Sequence, residues 1–206
     1  MSWLHGATAS SESNDAVLEL LPEPVGRLEE LVDVAWTVAG PSLLTPAAAA
    51  VAAVVGAPVE PAPATSNVEL AAVAYAEQFT LDPSAVRGRL DEALRDHLGG
   101  TALADFVASL NVVDGYLRTC SLLELEPRLP DVAAPSASGR APDRAVGEPP
   151  RGDGTALREY RNRLIDPRLI EARGAYARAV LGLAGVDEVT TEVVRLRNAQ
   201  FQQCEY

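Results

Sequence analysis

The sequence predicts an all-α fold, and three observations support that prediction. Apolar residues recur three and four positions apart along most of the chain, as they do on one face of a helix. No stretch shows the sustained apolar–polar alternation of a half-buried strand. The 206 residues are 48% hydrophobic but only 5% aromatic. Alanine, leucine and valine therefore supply the apolar surface, which favours close helix packing over a β-sandwich.

Two helices are predicted after a polar N-terminal arm at residues 1–15. The first runs from Val25, where apolar and charged residues separate onto opposite faces, to the stop at Gly40-Pro41. The second has Thr45 as its cap and Pro46 at its first position, and it ends before Gly56. Because the second helix consists almost entirely of alanine and valine, we expect it to be buried against other helices.

Three more helices complete a predicted domain over residues 16–126. Their approximate ranges are 67–80, 83–98 and 101–123, the last continuing across Gly115. Composition then changes over residues 127–152, which contain six prolines and no apolar periodicity. We interpret this segment as an exposed linker, because it has too little apolar surface to offset the entropy of ordering it. Helical patterns resume in 157–165 and 167–183 and in a last segment opened by Thr190 or Thr191, so residues 153–206 form a second unit.

Charge and cysteine content narrow the class of protein. The net charge is −12 and all 17 basic residues are arginine, which argues against nonspecific binding to nucleic acid or to an anionic membrane. No apolar run reaches the 18–20 residues or so of a transmembrane helix, and no signal-peptide core follows Met1. Two cysteines cannot form a disulfide framework, so we expect a reducing, cytoplasmic setting.

Few residues in the first unit suggest chemistry. Cys120 is expected to pack as a small apolar residue. His97 lies at the end of a predicted helix, where a cation is favoured, and it has no companions for a metal site. The acids Glu92, Asp105 and Asp114 are interpreted as ordinary helix-surface residues. No metal or organic cofactor is predicted.

The last segment carries the candidate site residues, Glu192 and Cys204, with eleven residues between them. On its own, Glu192 could simply complement the helix dipole in the first turn of its helix, and Cys204 could be an unremarkable thiol. Twelve residues of straight helix would separate the two by about 18 Å. Direct contact between the two side chains would therefore require a turn near Gln202-Gln203.

This string resembles the approach to the active site in the carboxymuconolactone decarboxylase and alkylhydroperoxidase D-like superfamily. There a glutamate precedes a C-x-x-C pair by eleven residues, and a histidine follows. Residues 68–118, with the turn Phe79-Thr80-Leu81-Asp82-Pro83, look like the later half of the same fold. Aligning residues 45–59 with 190–204 places Ala47 opposite Glu192 and Val59 opposite Cys204, so the first copy lacks the reactive residues.

The resemblance implies an alkylhydroperoxidase D-like helical bundle, with one full copy and the first half of a second. It implies a thiol peroxidase or a lactone decarboxylase as the parent enzyme, acting on a small-molecule peroxide or lactone with a thiol reductant. Cys204 would be the resolving thiol and Glu192 the acid that relays protons. The chain ends abruptly at Tyr206, without a glycine stop or polar tail, so we expect a truncated second copy that cannot turn over peroxide.

A rival hypothesis is a noncatalytic helical interaction protein. Members of the family commonly assemble through their helical faces, and the alanine-rich helix at 47–55 offers a surface for close packing. A half-domain with an uncovered apolar face should also bind a partner. Both hypotheses predict a homo-oligomer.

Overall fold

A computed structural model describes residues 21–86, 88–130, 146–150 and 154–182, together with residues 187 and 189. All regular structure in this part of the chain is helical, which confirms the predicted all-α class. The elements are α1 (Pro22–Ala39), α2 (Pro41–Val55), α3 (Asn67–Leu81), a short 3-10 helix (Pro83–Val86), α4 (Arg89–Leu98), α5 (Gly100–Leu123), α6 (Gly154–Leu164) and α7 (Pro167–Leu181).

The start of α2 corrects the prediction that Thr45 caps this helix and Pro46 opens it. The helix begins at Pro41, immediately after Gly40, whose φ of +86° cannot continue the right-handed helix α1. Pro41 occupies the first helical position, where its missing N–H costs nothing. Pro46 lies one turn further on and is buried, so packing of its ring offsets the backbone hydrogen bond that it cannot donate.

The predicted helix 83–98 is two elements. Residues 83–86 form a 3-10 turn, and α4 begins at Arg89. Gly88 lies between them with φ of +88°, a left-handed conformation that interrupts any right-handed helix. The start of α3, by contrast, is as predicted to within a residue, because Ser66 closes a capping box. Its hydroxyl accepts from the Glu69 N–H at 3.3 Å, and its own N–H donates to the Glu69 carboxylate at 3.1 Å.

The core forms around α5, a helix of 24 residues and therefore about 36 Å long. Helix α2 packs against α3 and α5, and α1 lies between α5 and α7. Alanines at the contacts of α2, among them Ala47, Ala48 and Ala52, are fully or almost fully buried. The predicted burial of this alanine-rich helix is confirmed for one face, whose small side chains let the neighbouring helices approach closely, while Ala53 and Val54 are exposed.

Helix α7 belongs to the same core as the earlier helices. Leu169 and Ala172 are buried in one cluster with the inward faces of α1 to α5. The first residues of the predicted linker are also attached, because the Arg128 N–H donates to the Tyr116 hydroxyl at 2.7 Å. The helices on the two sides of the proline-rich segment therefore share a hydrophobic core, while the assignment of 153–206 to a second domain stays a prediction.

A buried polar contact joins α5 to the start of α7, and it corrects the interpretation of Asp105 as a surface acid. Asp105 is only 4% exposed, and its carboxylate accepts the backbone N–H of Asp166 at 2.6 Å. Asp166 in turn caps α7, accepting the N–H of Arg168 at 2.9 Å. Asp105 is buried together with Asp166, which comes from the turn before α7, and the sequence of α5 alone does not reveal that this turn lies against it.

The other two acids differ from each other. Asp114 is also more buried than predicted, since its side chain is 13% exposed, and it pairs with Arg118 at 2.8 Å one turn along α5. Glu92 is exposed in the first turn of α4, as predicted. Of the three acids, only Glu92 is the surface residue that the helical pattern indicated.

Candidate functional site

The two residues that the sequence singles out, Glu192 and Cys204, lie outside the described residues. Their roles therefore stay predictions. Their counterparts in the first copy are described: Ala47 is fully buried in α2, and Val59 is half-buried in the segment that follows this helix. Neither position carries a titratable or nucleophilic group. Any chemistry in the described part of the chain has to come from other side chains.

Cys120 is a free thiol on α5 and is 3% exposed. Burial raises the pKa of this thiol above its usual range, and that effect outweighs its hydrogen bond with Tyr116, which acts in the opposite direction. The thiol is therefore neutral at physiological pH, whereas nucleophilic attack needs the thiolate. The prediction that Cys120 packs as a small apolar residue is confirmed.

A half-enclosed cavity of about 260 Å³ lies beside Cys120, between α1, α5 and α7. We call it the Cys120 cavity. Its walls are largely apolar, with Leu28 from α1 and Val180 from α7 among them. Burial also raises the pKa of two tyrosines that line it, Tyr116 and Tyr176, so both phenols are neutral at physiological pH.

Two polar groups of this cavity, the Tyr116 hydroxyl and the Arg128 guanidinium, already have partners. The Tyr116 hydroxyl accepts the N–H of Arg128, and the Arg128 guanidinium lies 3.6 Å from the Glu29 carboxylate at the rim. Among the described residues that line the cavity there is no activated nucleophile and no paired acid and base. Its chemistry suits the enclosure of apolar groups rather than a catalysed reaction.

A second, more open concavity of about 540 Å³ separates α3, α4 and α5 from α6 and α7. We call it the arginine groove, because Arg95, Arg161 and Arg173 lie along it. Arg95 pairs with Asp91 at 2.8 Å, one turn earlier on α4. Aromatic residues line the same groove, and two of them, Tyr75 and Phe79, stack with their ring centroids 6.4 Å apart.

The potential metal ligands of the described ranges do not cluster. Within them, no group of three or more His, Cys, Asp or Glu side chains is placed to hold a metal ion. His97 is exposed in the last turn of α4, the position the sequence predicts. Among the helices described, none is long and apolar enough to cross a membrane.

Several residues of these concavities carried no signal in the sequence. Tyr116 and Tyr176 lie on different helices, and they line one cavity only because α5 and α7 both flank α1. Arg161 and Arg173 have the spacing of ordinary surface arginines.

Comparison with known proteins identifies no relative: no protein-family model, no curated protein and no solved structure matches this chain.

Proposed function

We propose that this chain is a carboxymuconolactone decarboxylase or alkylhydroperoxidase D-like protein, and that Glu192 and Cys204 form part of a cysteine-based site for peroxide reduction. The observation that carries the proposal is the spacing of eleven residues between this glutamate and this cysteine. The all-helical architecture of the described residues is the frame that such a protein requires. The reducing, cytoplasmic setting expected for a thiol enzyme belongs to the same proposal.

The state of Cys120 supports the assignment of thiol chemistry to Cys204. The sequence contains two cysteines, and burial keeps one of them, Cys120, as a neutral and enclosed thiol. Peroxides and disulfides react with accessible thiolates. Thiol chemistry at neutral pH is therefore left to Cys204.

In the proposed step, Cys204 resolves a sulfenic acid that peroxide has formed on a second cysteine. The Cys204 thiolate attacks the sulfenic sulfur, a sulfur–sulfur bond forms, and the sulfur–oxygen bond breaks. The leaving hydroxide takes a proton from the Glu192 carboxyl and departs as water. The peroxide is the oxidant, and an external thiol reductant returns the disulfide to two thiols.

The 206-residue chain is expected not to turn over peroxide, because the C-x-x-C pair needs a second cysteine beyond Cys204. Stopped-flow measurement of peroxide consumption tests this expectation. Fast consumption that disappears in Cys204→Ser would show that Cys204 acts without a partner, against the resolving role. Cys120→Ser is the matched control and should change nothing.

A chain with one cysteine added directly after Tyr206 tests the role of Glu192. Peroxide should convert its added cysteine and Cys204 to an intrachain disulfide, and Glu192→Gln should slow that conversion about tenfold or more, the usual size of a general acid–base contribution. Glu205→Gln, in which the acid between the two cysteines changes, is the matched control. Equal rates in the Glu192→Gln variant and in the parent would contradict the proposal.

A second candidate function, a noncatalytic helical interaction protein, is favoured by apolar side chains on the surface. Leu70, Leu81 and Leu122 are between 56% and 81% exposed on α3 and α5. Self-association would remove such side chains from water. Light scattering of the purified chain tests this function: a homo-oligomer that Leu122→Ser weakens would support it, and a strict monomer would contradict it.

A further inference from the structure

The arginine groove has a charge opposite to that of the whole protein. Its lining contains three arginines and one aspartate, Asp91, while the chain carries a net charge of −12. Arg95 is paired with Asp91. Arg161 on α6 and Arg173 on α7 make no salt bridge to any other described residue, so the groove has an excess of about two positive charges among its lining side chains.

The rest of the groove is apolar and partly aromatic. Leu103 and Val107 of α5 form its floor, and Leu164 and Leu169 lie on the side of α6 and α7. The stacked pair of Tyr75 and Phe79 on α3 is held from behind by Phe106, whose ring meets that of Tyr75 edge to face at 6.1 Å. The aromatic wall is therefore packed on its inner side, and Tyr160 of α6 adds another ring to the lining.

We propose that the arginine groove binds a small organic anion with an aromatic body, its carboxylate or sulfonate paired with Arg161 and Arg173. A guanidinium presents a planar pair of N–H donors that matches the two oxygens of such a group. The aromatic body is buried against the floor and the stacked rings. Because these rings are already packed, they lose little conformational entropy when the ligand binds. A volume of about 540 Å³ is in the range of natural small-molecule sites.

The same ligand is not expected in the Cys120 cavity. The rim there carries two carboxylates, Glu29 and Glu126, against the single guanidinium of Arg128, and Arg128 is already paired with Glu29. Among the described side chains that line this cavity, the guanidinium groups do not outnumber the carboxylates, so an anion finds no excess of positive charge there. The two concavities therefore differ in the charge of the ligand they accept, and this difference gives the test its specificity. The proposal does not depend on Glu192 or Cys204.

The test compares two fluorescent probes that share an aromatic skeleton and differ in a sulfonate: anilinonaphthalene sulfonate, an anion, and N-phenylnaphthylamine, its neutral counterpart. The full chain should bind one anionic probe per molecule, at least about tenfold more tightly than the neutral probe, as expected for charge-assisted hydrogen bonds to two guanidinium groups. Raising the salt concentration should weaken the anionic probe only, because salt screens the exposed arginines.

The variant Arg161→Gln with Arg173→Gln should remove the preference for the anion and leave the affinity for the neutral probe unchanged. Both side chains are exposed, so the fold should persist, and circular dichroism checks this directly. The matched control is Arg27→Gln, an exposed arginine on α1 that pairs with Glu30 away from the groove. It should behave as the parent does.

Three results would overturn the proposal. The first is no saturable binding of the anionic probe. The second is equal affinity for the two probes in the parent chain. The third is an anionic affinity that the double variant retains, which would place the probe elsewhere on the protein. Because the measurement involves no thiol chemistry, failure here leaves the proposed role of Cys204 unaffected, and failure of that role leaves this result standing.

Discussion

Replacing Asp105 with alanine should destabilise the protein by removing the polar contact between α5 and α7. The carboxylate of Asp105 accepts the Asp166 N–H at 2.6 Å, and the two residues are 4% and 7% exposed. In the alanine variant that N–H has lost its acceptor in a place that water reaches poorly. An unsatisfied buried group of this kind costs about 1–3 kcal/mol, and the loss of a charged acceptor places the expected value in the upper half of that range.

Urea unfolding followed by circular dichroism measures this loss as a lower free energy of unfolding. Asp105→Asn keeps an acceptor oxygen at the same place, so it should retain a large part of the stability. Asp33→Ala is the matched control, because Asp33 is an exposed acid on α1, and its change should stay within about 0.5 kcal/mol. If Asp105→Ala costs no more than the control, the contact does not hold α7 in place and the reasoning fails.

Four further predictions concern the core, two helix ends and the response to pH. Leu110→Ala, at a fully buried position of α5, should lower the free energy of unfolding by about 2–5 kcal/mol in urea titrations; a loss below about 1 kcal/mol would contradict its place in the core. Ser66→Ala removes one half of the capping box with Glu69 and should cost about 1 kcal/mol in the same assay, whereas no change would mean that the cap is not formed. Gly56→Ala should lower the free energy of unfolding by about 1–2 kcal/mol, because alanine is strained at the φ of +74° found there. The space around an added Cβ is open, so no clash adds to this cost, and a gain in stability would show that the left-handed turn is absent. Burial raises the pKa of the Cys120 thiol above the 9.0 of a free thiol, so the unfolded chain ionises first, and the free energy of unfolding should fall as pH rises above about 9. Cys120→Ala should make that fall shallower, and an unchanged slope would refute the assignment.

Helix starts and ends were predictable where the signal was local. The capping box of Ser66 and Glu69 specifies the start of α3 through contacts within four residues. The start of α2 was not predictable in this way, because Pro41 and Pro46 are both acceptable at a first helical position. The choice depends on the burial of Pro46 against other helices, which is information from outside the segment.

The candidate sites were predictable only in part, for a related reason. The apolar environment of Cys120 followed from the pattern of α5, on which it continues the inward face. Of its neighbours in the cavity, Tyr116 lies on α5 itself, Tyr176 lies on α7, and Arg128 lies in the segment after α5. The periodicity of one helix does not tell which other helices pack against it. The Asp105 contact was missed for the same reason, since it spans 61 positions along the chain.

The proposed peroxide chemistry of Glu192 and Cys204 comes from a resemblance to a known family. The amino-acid sequence by itself determined that this protein is helical and that one face of α2 is buried. These conclusions depend on composition, on periods of three and four residues and on short spacings, all of which are local properties of a chain. Only the tertiary structure decided that α7 packs against α1, that Asp105 is buried, and that arginines of three helices line one groove. Such features arise when surfaces from distant segments exclude water together, and that event depends on which helices become neighbours.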